Sequence, residues 1–265
     1  MVKVGFFFRW VSLILLVALV PMFFWLKEVR RVSLLRRLIS KTEQIGQVKL
    51  GFSPLFSSKL GFITLLAPNS SFKVVDARYY GFEQISPKLA VKKFNFSACI
   101  NASLFDDRNK PLGLLVMTGK VVQGIHKSKG SLRGLLLVTE EGVIIQDFAE
   151  PLPKNILEGF QGSKIITSNS EISNHIDQLS SQISGVCLNN QSLTIFAINS
   201  VFLKPSLLLT YSGFECKRTL ILDSGSSTSF YLDWNGTIVD VHGSRAVPTL
   251  FCALIGNKTL NKLKL

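Results

Sequence analysis

The stretch TLILDSGSSTSFYLD, residues 219–233, joins an apolar strand pattern to a loop of small polar residues. The apolar run ends at Asp223, and Ser-Gly-Ser-Ser follows before a second apolar run begins. A carboxylate at the end of a buried strand suits a catalytic group, whereas small residues after a strand also form loops whose N–H and hydroxyl groups hold an anion. The stretch therefore admits two interpretations, a proteolytic carboxylate or an anion-binding loop.

The proteolytic interpretation requires a second carboxylate. A pepsin-type protease has two Asp-Ser/Thr-Gly loops that share one proton, and this chain has one such loop, which excludes a two-lobed protease. A dimeric protease has one loop per subunit, a flap and a later apolar-Ile-Gly segment. Ile255-Gly256 begins 32 residues after Asp223 and leaves little room for a flap. A homodimeric aspartic protease using Asp223 is kept as the third hypothesis.

Composition and charge limit the class of protein. The chain has 265 residues, of which 47% are hydrophobic and 20 are Phe, so it can bury a sizeable core. Its net charge is +13, and the first 50 residues carry +7 of this. Such a concentration favours a basic collar beside a membrane over a nucleic-acid groove. We therefore predict no nucleic-acid partner.

An uncharged apolar run occupies residues 10–26, WVSLILLVALVPMFFWL. With the apolar residues before Arg9 it is long enough for a bilayer core of about 30 Å. No small-x-small cleavage site follows, so we predict a retained membrane anchor over residues 1–27 and a basic juxtamembrane stalk over 28–48. Basic residues flank the run on both sides, and those after it favour a cytoplasmic domain by the positive-inside rule.

From residue 49 onward the chain reads as short β-rich runs separated by Gly, Asn and Ser. Three polar turns predict hairpins, at residues 139–142, 189–192 and 235–236. Helical patterns are few and fall at 86–94 and within 200–214. The sequence thus predicts a strand-dominated α+β domain over residues 49–265, behind one N-terminal transmembrane helix.

The four cysteines are widely spaced and contain no Cys-x-x-Cys pair. Metal binding by these residues is therefore not expected. Cys99, Cys187 and Cys252 lie in apolar surroundings, which favours buried free thiols. An even count permits disulfides in an oxidising compartment without requiring them.

Several motifs occur in a characteristic order along the chain. They are SACINASLFDDRNKPLGLLVMTGKVVQG (97–124), FQGSKIITS (160–168), SGVCLNNQSLTIFAIN (184–199), TLILDSGSSTSFYL (219–232) and Arg245-Ala246-Val247-Pro248. In order and spacing they resemble the phosphodiester glycosidase family, whose members remove a sugar from a phosphodiester. The resemblance covers roughly residues 60–255. It implies a glycosidase or hydrolase of carbohydrate metabolism that acts on a sugar-1-phosphodiester in a glycan or envelope. We predict no cofactor and no metal.

The resemblance also implies roles for particular residues. Asp223 and Asn101 are the expected catalytic residues, because a carboxylate can orient water or stabilise an oxocarbenium-like sugar and an amide can bind its hydroxyls. The phosphate is expected on small-residue N–H and hydroxyl donors and on one cation. The residues expected to bind substrate or phosphate are Gly225, Ser226, Ser227, Arg245 and Gly113.

Two positions depart from the family pattern. Ser224 stands where members usually have glycine, and Gln182 or Ser181 stands where an arginine commonly opens the Gly-Val strand. Arginine binds phosphate through a bidentate fork that glutamine lacks. The second hypothesis is therefore an inactive relative that binds glycan or a protein partner. Family members act in exported or lumenal compartments, so we expect a single-pass membrane protein with an extracytoplasmic domain, in the periplasm or at the cell surface.

Overall fold

The computed structural model of the chain describes residues 43–45, 48–55, 58–66, 70–127, 132–167, 182–190, 192–199 and 216–255. These residues belong to one compact unit, Thr42–Leu265. They form seventeen strands and one α-helix, α1 (Pro87–Phe94). The strands are β1 (Glu43–Ile45), β2 (Val48–Leu55), β3 (Ser58–Leu66), β4 (Ser70–Asp76), β5 (Ala98–Asn101), β6 (Leu115–Met117), β7 (Lys120–Gln123), β8 (Gly134–Thr139), β9 (Gly142–Asp147), β10 (Ile156–Gly162), β11 (Ile165–Ile166), β12 (Gln182–Asn189), β13 (Ser192–Asn199), β14 (Arg218–Ile221), β15 (Phe230–Trp234), β16 (Thr237–Val241) and β17 (Thr249–Ile255).

The predicted α+β fold class is wrong. The described residues are strand-dominated with a single α-helix, so an α+β class overstates the helical content. No helix among them is long and apolar enough to cross a membrane. The predicted anchor, residues 1–27, lies outside the described residues. The end of the predicted stalk is strand, since β1 and the start of β2 fall within residues 28–48.

The described strands form three antiparallel sheets. The first has the order β1-β2-β3-β13-β12-β14-β11, and the second has the order β7-β6-β10-β8-β9. The third has the order β16-β15-β5-β17-β4. The three predicted hairpins are confirmed, because β8 pairs with β9, β12 with β13 and β15 with β16 around those turns.

The main core lies where the inner faces of the three sheets meet. Phe251 of the third sheet stacks on Phe72 at 5.4 Å between ring centroids and meets Phe160 of the second sheet at 5.5 Å. Ile195 of the first sheet belongs to the same buried cluster. Full burial of side chains of this size contributes about 1.5–3 kcal/mol each, so this shared cluster stabilises the contact between the sheets.

Helix α1 forms where the sequence pattern predicts it. Ser86 caps its first turn by accepting a hydrogen bond from Leu89 N–H at 3.2 Å, and Pro87 occupies the first helical position. Asn95 ends the helix with a left-handed φ of 62°. Phe94 and its apolar neighbours pack in a second buried cluster against the third sheet. The other predicted helical segment, within 200–214, lies outside the described residues.

The expectation of free thiols is wrong. Cys99 forms a disulfide with Cys252, and Cys187 forms one with Cys216. The first pair lies side by side on the neighbouring strands β5 and β17. Spacing along the chain gave no sign of this pairing, because the register between strands 153 residues apart brings the two side chains together.

Removing the Cys99–Cys252 disulfide is expected to destabilise the fold by about 2–5 kcal/mol. Its loop spans 153 residues, against 29 for Cys187–Cys216, and a longer loop removes more entropy from the unfolded chain. Urea unfolding of the two double Cys→Ala variants measures both effects. The loop-length difference alone predicts that the first variant is less stable than the second by about 1.5 kcal/mol. Equal stability of the two variants would contradict this account.

Candidate functional site

Three sequence motifs meet at one edge of the third sheet. Because its strands are antiparallel, the carboxyl ends of β4, β5 and β16 lie at the same edge as the amino ends of β15 and β17. The chain segments that leave or enter the sheet at this edge include residues 102–105, 223–229 and 242–248. The topology therefore brings most of the predicted site residues together.

Asn101, at the end of β5, is fully buried and holds the Asp-Ser-Gly-Ser-Ser loop in place. Its Nδ2 donates to the carbonyl oxygen of Asp223 at 2.5 Å, and its Oδ1 accepts from the N–H of Ser229 at 3.1 Å. One amide thus ties down both ends of the loop. The contacts of Asn101 make it a positioning residue, and a direct contact with substrate stays a prediction.

The backbone of Asp223 has two further contacts, one to β12 and one to the residue that follows β5. The hydroxyl of Ser184 on β12 donates to the Asp223 carbonyl oxygen at 3.0 Å, and the Asp223 N–H points to the carbonyl of Ala102 at 3.5 Å. Gly225 then begins a short 3-10 turn with φ of +74°, a backbone conformation that favours glycine. Ser224 has φ of −97°, so this position does not require the glycine of the family pattern.

The carboxyl group of Asp223 is half-buried and faces polar partners. Burial raises its pKa above the ordinary value, while a hydrogen bond with Ser227 and the charge of Arg245 act in the opposite direction. The hydroxyl of Ser227 is itself buried within the loop. A carboxyl with a raised pKa, set beside a hydroxyl and a cation, is typical of a catalytic site.

Arg245 reaches the loop from the segment after β16. Its Nε donates to the Ser227 hydroxyl at 3.3 Å, and its guanidinium lies 4.4 Å from the centroid of the Phe105 ring. A Cβ atom at Gly243 would lie 2.3 Å from the carbonyl oxygen of Ser226, so the two segments pack too closely for any larger residue there. Sequence reasoning missed Gly243, and it named Phe105 only as part of a motif.

Gly113 belongs to a different set of contacts. Its φ is +90°, and a Cβ atom there would lie 2.1 Å from Oε1 of Gln161. The buried Gln161 side chain accepts from the N–H groups of Leu114 and His126 and donates to the carbonyl oxygens of His126 and Leu132. The contacts of Gly113 therefore join it to Gln161 rather than to the Asp223 loop, and its role in binding substrate stays a prediction.

The remaining predicted residues are placed as follows. Ser226 is exposed at the loop surface. Gln182, at the position where the family commonly has arginine, begins β12 and pairs with Asn199 across the sheet. Ser181 lies outside the described residues. Within the described ranges, no group of three or more His, Cys, Asp or Glu side chains is arranged to hold a metal ion.

No protein-family model matches the chain, and no curated protein matches its sequence. Solved structures do match. The catalytic domain of zebrafish N-acetylglucosamine-1-phosphodiester alpha-N-acetylglucosaminidase, auto-inhibited by its pro-peptide, is 13% identical with a TM-score of 0.58, over 82% of this chain and 86% of that one. The chain shares this fold.

A second solved structure also matches the fold of this chain. A putative exported protein from Burkholderia pseudomallei is 8% identical with a TM-score of 0.54, over 77% of this chain and 74% of that one. At such low identity the likeness concerns the fold alone, and function depends on the residues of the site. The fold-level resemblance inferred from motif order is thus confirmed, while membership of the family is not established.

Proposed function

We propose that this chain is a hydrolase that cleaves a sugar-1-phosphodiester, with the Asp223 loop as its active site. The observation that carries the proposal is the half-buried Asp223 carboxyl group, whose pKa is raised by burial, beside the Ser227 hydroxyl and the Arg245 guanidinium. The similarity of fold to an enzyme named for a glycosidase activity on a phosphodiester supports it.

In the proposed reaction, one group of residues binds the phosphate and Asp223 activates water. Arg245 and the N–H groups of the Gly225–Ser227 turn bind the phosphate, which leaves as a monoester when the bond from the anomeric carbon to oxygen breaks. Water supplies the hydroxyl that bonds to the anomeric carbon, and ionised Asp223 accepts its proton. A carboxylate whose pKa is raised is a stronger base at neutral pH than an ordinary aspartate.

The direct test is release of reducing sugar from a panel of hexosamine-1-phosphodiesters by the purified full-length chain. Turnover of one or more of them is expected, with a phosphate monoester as the second product. Release of peptides from an unfolded protein substrate at acid pH, without sugar release, would instead indicate the aspartic protease. Folding of the sample is checked by circular dichroism, so that an inactive preparation is not confused with an inactive protein.

A second candidate function, binding of a sugar phosphodiester without turnover, is favoured by the residue at position 182. β12 begins at Gln182 rather than at an arginine, so a cation expected from the family is not supplied there. A relative without turnover would still bind a sugar phosphodiester through Arg245. Binding by the folded chain without sugar release, measured by calorimetry on the same panel, would select this second candidate.

We propose an oxidising, extracytoplasmic location for this domain. Two disulfides support the proposal, because such bonds persist in secreted and periplasmic proteins and are rare in the cytosol. Thiol labelling of the protein in intact cells, with and without a reductant, tests it. Labelling of all four cysteines without reductant would contradict the proposal.

Arg245→Ala is expected to raise KM for a phosphodiester by about 10- to 100-fold, since one charge-assisted contact to phosphate contributes about 1.5–3 kcal/mol. Arg133→Ala is the matched control, because Arg133 is exposed, pairs with Asp147 and lies just before β8, outside the site segments. Steady-state kinetics on both variants provides the measurement. An unchanged KM in the Arg245 variant would remove this residue from the phosphate site.

A further inference from the structure

A cavity of about 400 Å³ lies beside the Asp223 loop, and Arg245 is the one lining residue that the reaction proposed above uses. It is lined by the start of α1, by β15 and by the segment from Asp240 to Ala246. Arg245 and Ser229 line it too, and each donates a hydrogen bond to Ser227 of the Asp223 loop. The cavity therefore shares Arg245 with the proposed phosphate site. Its volume is in the range of small-molecule sites.

The lining of this cavity carries a net positive charge. Lys88 and Arg245 are cations, and Asp240 is the single carboxylate among the lining residues. The two oxygens of Asp240 hold two neighbours, Lys88 Nζ at 3.4 Å and His242 Nδ1 at 3.5 Å. The Lys88 ammonium also lies 5.7 Å from the centroid of the Tyr231 ring. Both nitrogen atoms therefore belong to side chains that line the cavity.

Donor capacity remains after these contacts. An ammonium group has three N–H donors, and Asp240 accepts one from Lys88. The guanidinium of Arg245 has five donors, and Ser227 accepts one of them. The cavity thus has room and N–H donors for a second anionic group. Arg245 contacts both this cavity and the Gly225–Ser227 turn.

We propose that this cavity binds an anionic aglycone, meaning that the group esterified to the phosphate carries a carboxylate or a second phosphate. The proposal rests on the proposed function, because it treats the Asp223 loop as the place of the scissile phosphodiester. Lys88 and His242 are then specificity-determining residues, and Arg245 lies between the two anions. A substrate with a neutral aglycone fills the phosphate site and leaves Asp240 as the anionic partner of Lys88 and His242.

Equilibrium binding separates this proposal from turnover. Calorimetry on the full-length chain compares 3-phosphonopropanoate with propylphosphonate, two probes that differ in the carboxylate. We expect the carboxylated probe to bind about five- to tenfold more tightly at low salt. The difference should shrink at 0.5 M salt, because the screening length there is only about 4 Å. Lys88→Gln and His242→Gln are each expected to reduce the preference, and the double variant to abolish it.

Lys92→Gln is the matched control, because Lys92 is exposed on the same helix and does not line the cavity. Equal affinity of the wild-type chain for both probes, or binding of neither, would overturn the proposal. So would a preference that survives in the double variant or disappears in the Lys92 control. A preference that follows Lys88 and His242 in a chain without turnover supports the cavity and rejects the hydrolase, so the two failures are distinguishable.

Discussion

Asp223→Asn is expected to lower kcat on a hexosamine-1-phosphodiester by roughly 10²- to 10⁴-fold, the usual contribution of a positioned acid–base group. Asparagine keeps the size of the side chain and can still accept a hydrogen bond from Ser227, but it cannot accept the proton of water. The backbone contacts of Asp223 to Asn101 and Ser184 remain, so the loop is expected to keep its shape. Single-turnover kinetics on wild type and variant provides the measurement.

Asp223→Asn is expected to raise the stability of the fold at neutral pH, although it lowers kcat. Burial raises the pKa of Asp223, so the ionised form is less favourable in the folded than in the unfolded chain. This penalty is complete above the folded pKa, declines as pH falls through it, and is absent below the ordinary value of 3.8. Asp223→Asn should therefore unfold at a higher urea concentration than wild type at pH 7, and the difference should vanish near pH 3.

Asp107→Asn is the control for both measurements, since Asp107 is an exposed turn residue away from the Asp223 loop and its replacement should alter neither. The pH profile adds a further test. Because activity requires ionised Asp223, kcat/KM should fall on the acid side at a pH above 3.8. Full activity of the Asn variant would show that Asp223 is not the base and would remove the central residue of the proposed site.

Gln161→Ala is expected to destabilise the fold by about 3–5 kcal/mol, the largest stability effect of a single substitution discussed here. The side chain of Gln161 is fully buried and satisfies four backbone groups of Leu114, His126 and Leu132, at distances of 2.8–3.0 Å. Alanine leaves these groups without their partner and opens space beside Gly113. Urea unfolding at pH 7 measures the loss.

Gln146→Ala is the matched control. Gln146 is also buried, but it donates to only two carbonyl oxygens, of Glu150 at 3.4 Å and Pro151 at 3.1 Å. We expect this variant to lose about 1 kcal/mol. If the two glutamine variants were equally stable, the four contacts of Gln161 would not carry the stability assigned to them.

Local patterns predicted the hairpins and the helix. The turn at Asn235-Gly236 and the helix capped by Ser86 depend on residues close together in the chain, so their sequence is sufficient. The strand-dominated character beyond residue 49 followed from short β-rich runs. The α+β expectation failed because helical patterns were given too much weight in a chain whose one described α-helix has eight residues.

The order of the motifs was sufficient to predict that Asn101 and Asp223 belong to one site. Asn101 and Asp223 are 122 residues apart, and the structure joins them by one hydrogen bond at the sheet edge. Pairing across strands was not predictable from spacing, which is why the Cys99–Cys252 disulfide was missed. Gln161 was missed for a related reason, because its four partners lie in segments that approach it only in the folded chain.

The position of β17 has a consequence for how this protein folds during synthesis. β17 lies between β4 and β5, so residues 249–255 complete the middle of the third sheet and not its edge. Until the ribosome has released this segment, β4 and β5 each present an unpaired edge, and neither Asn101 nor the Asp223 loop has its final surroundings. A nascent chain lacking these residues cannot complete the third sheet, so the site forms in a late, long-range folding step.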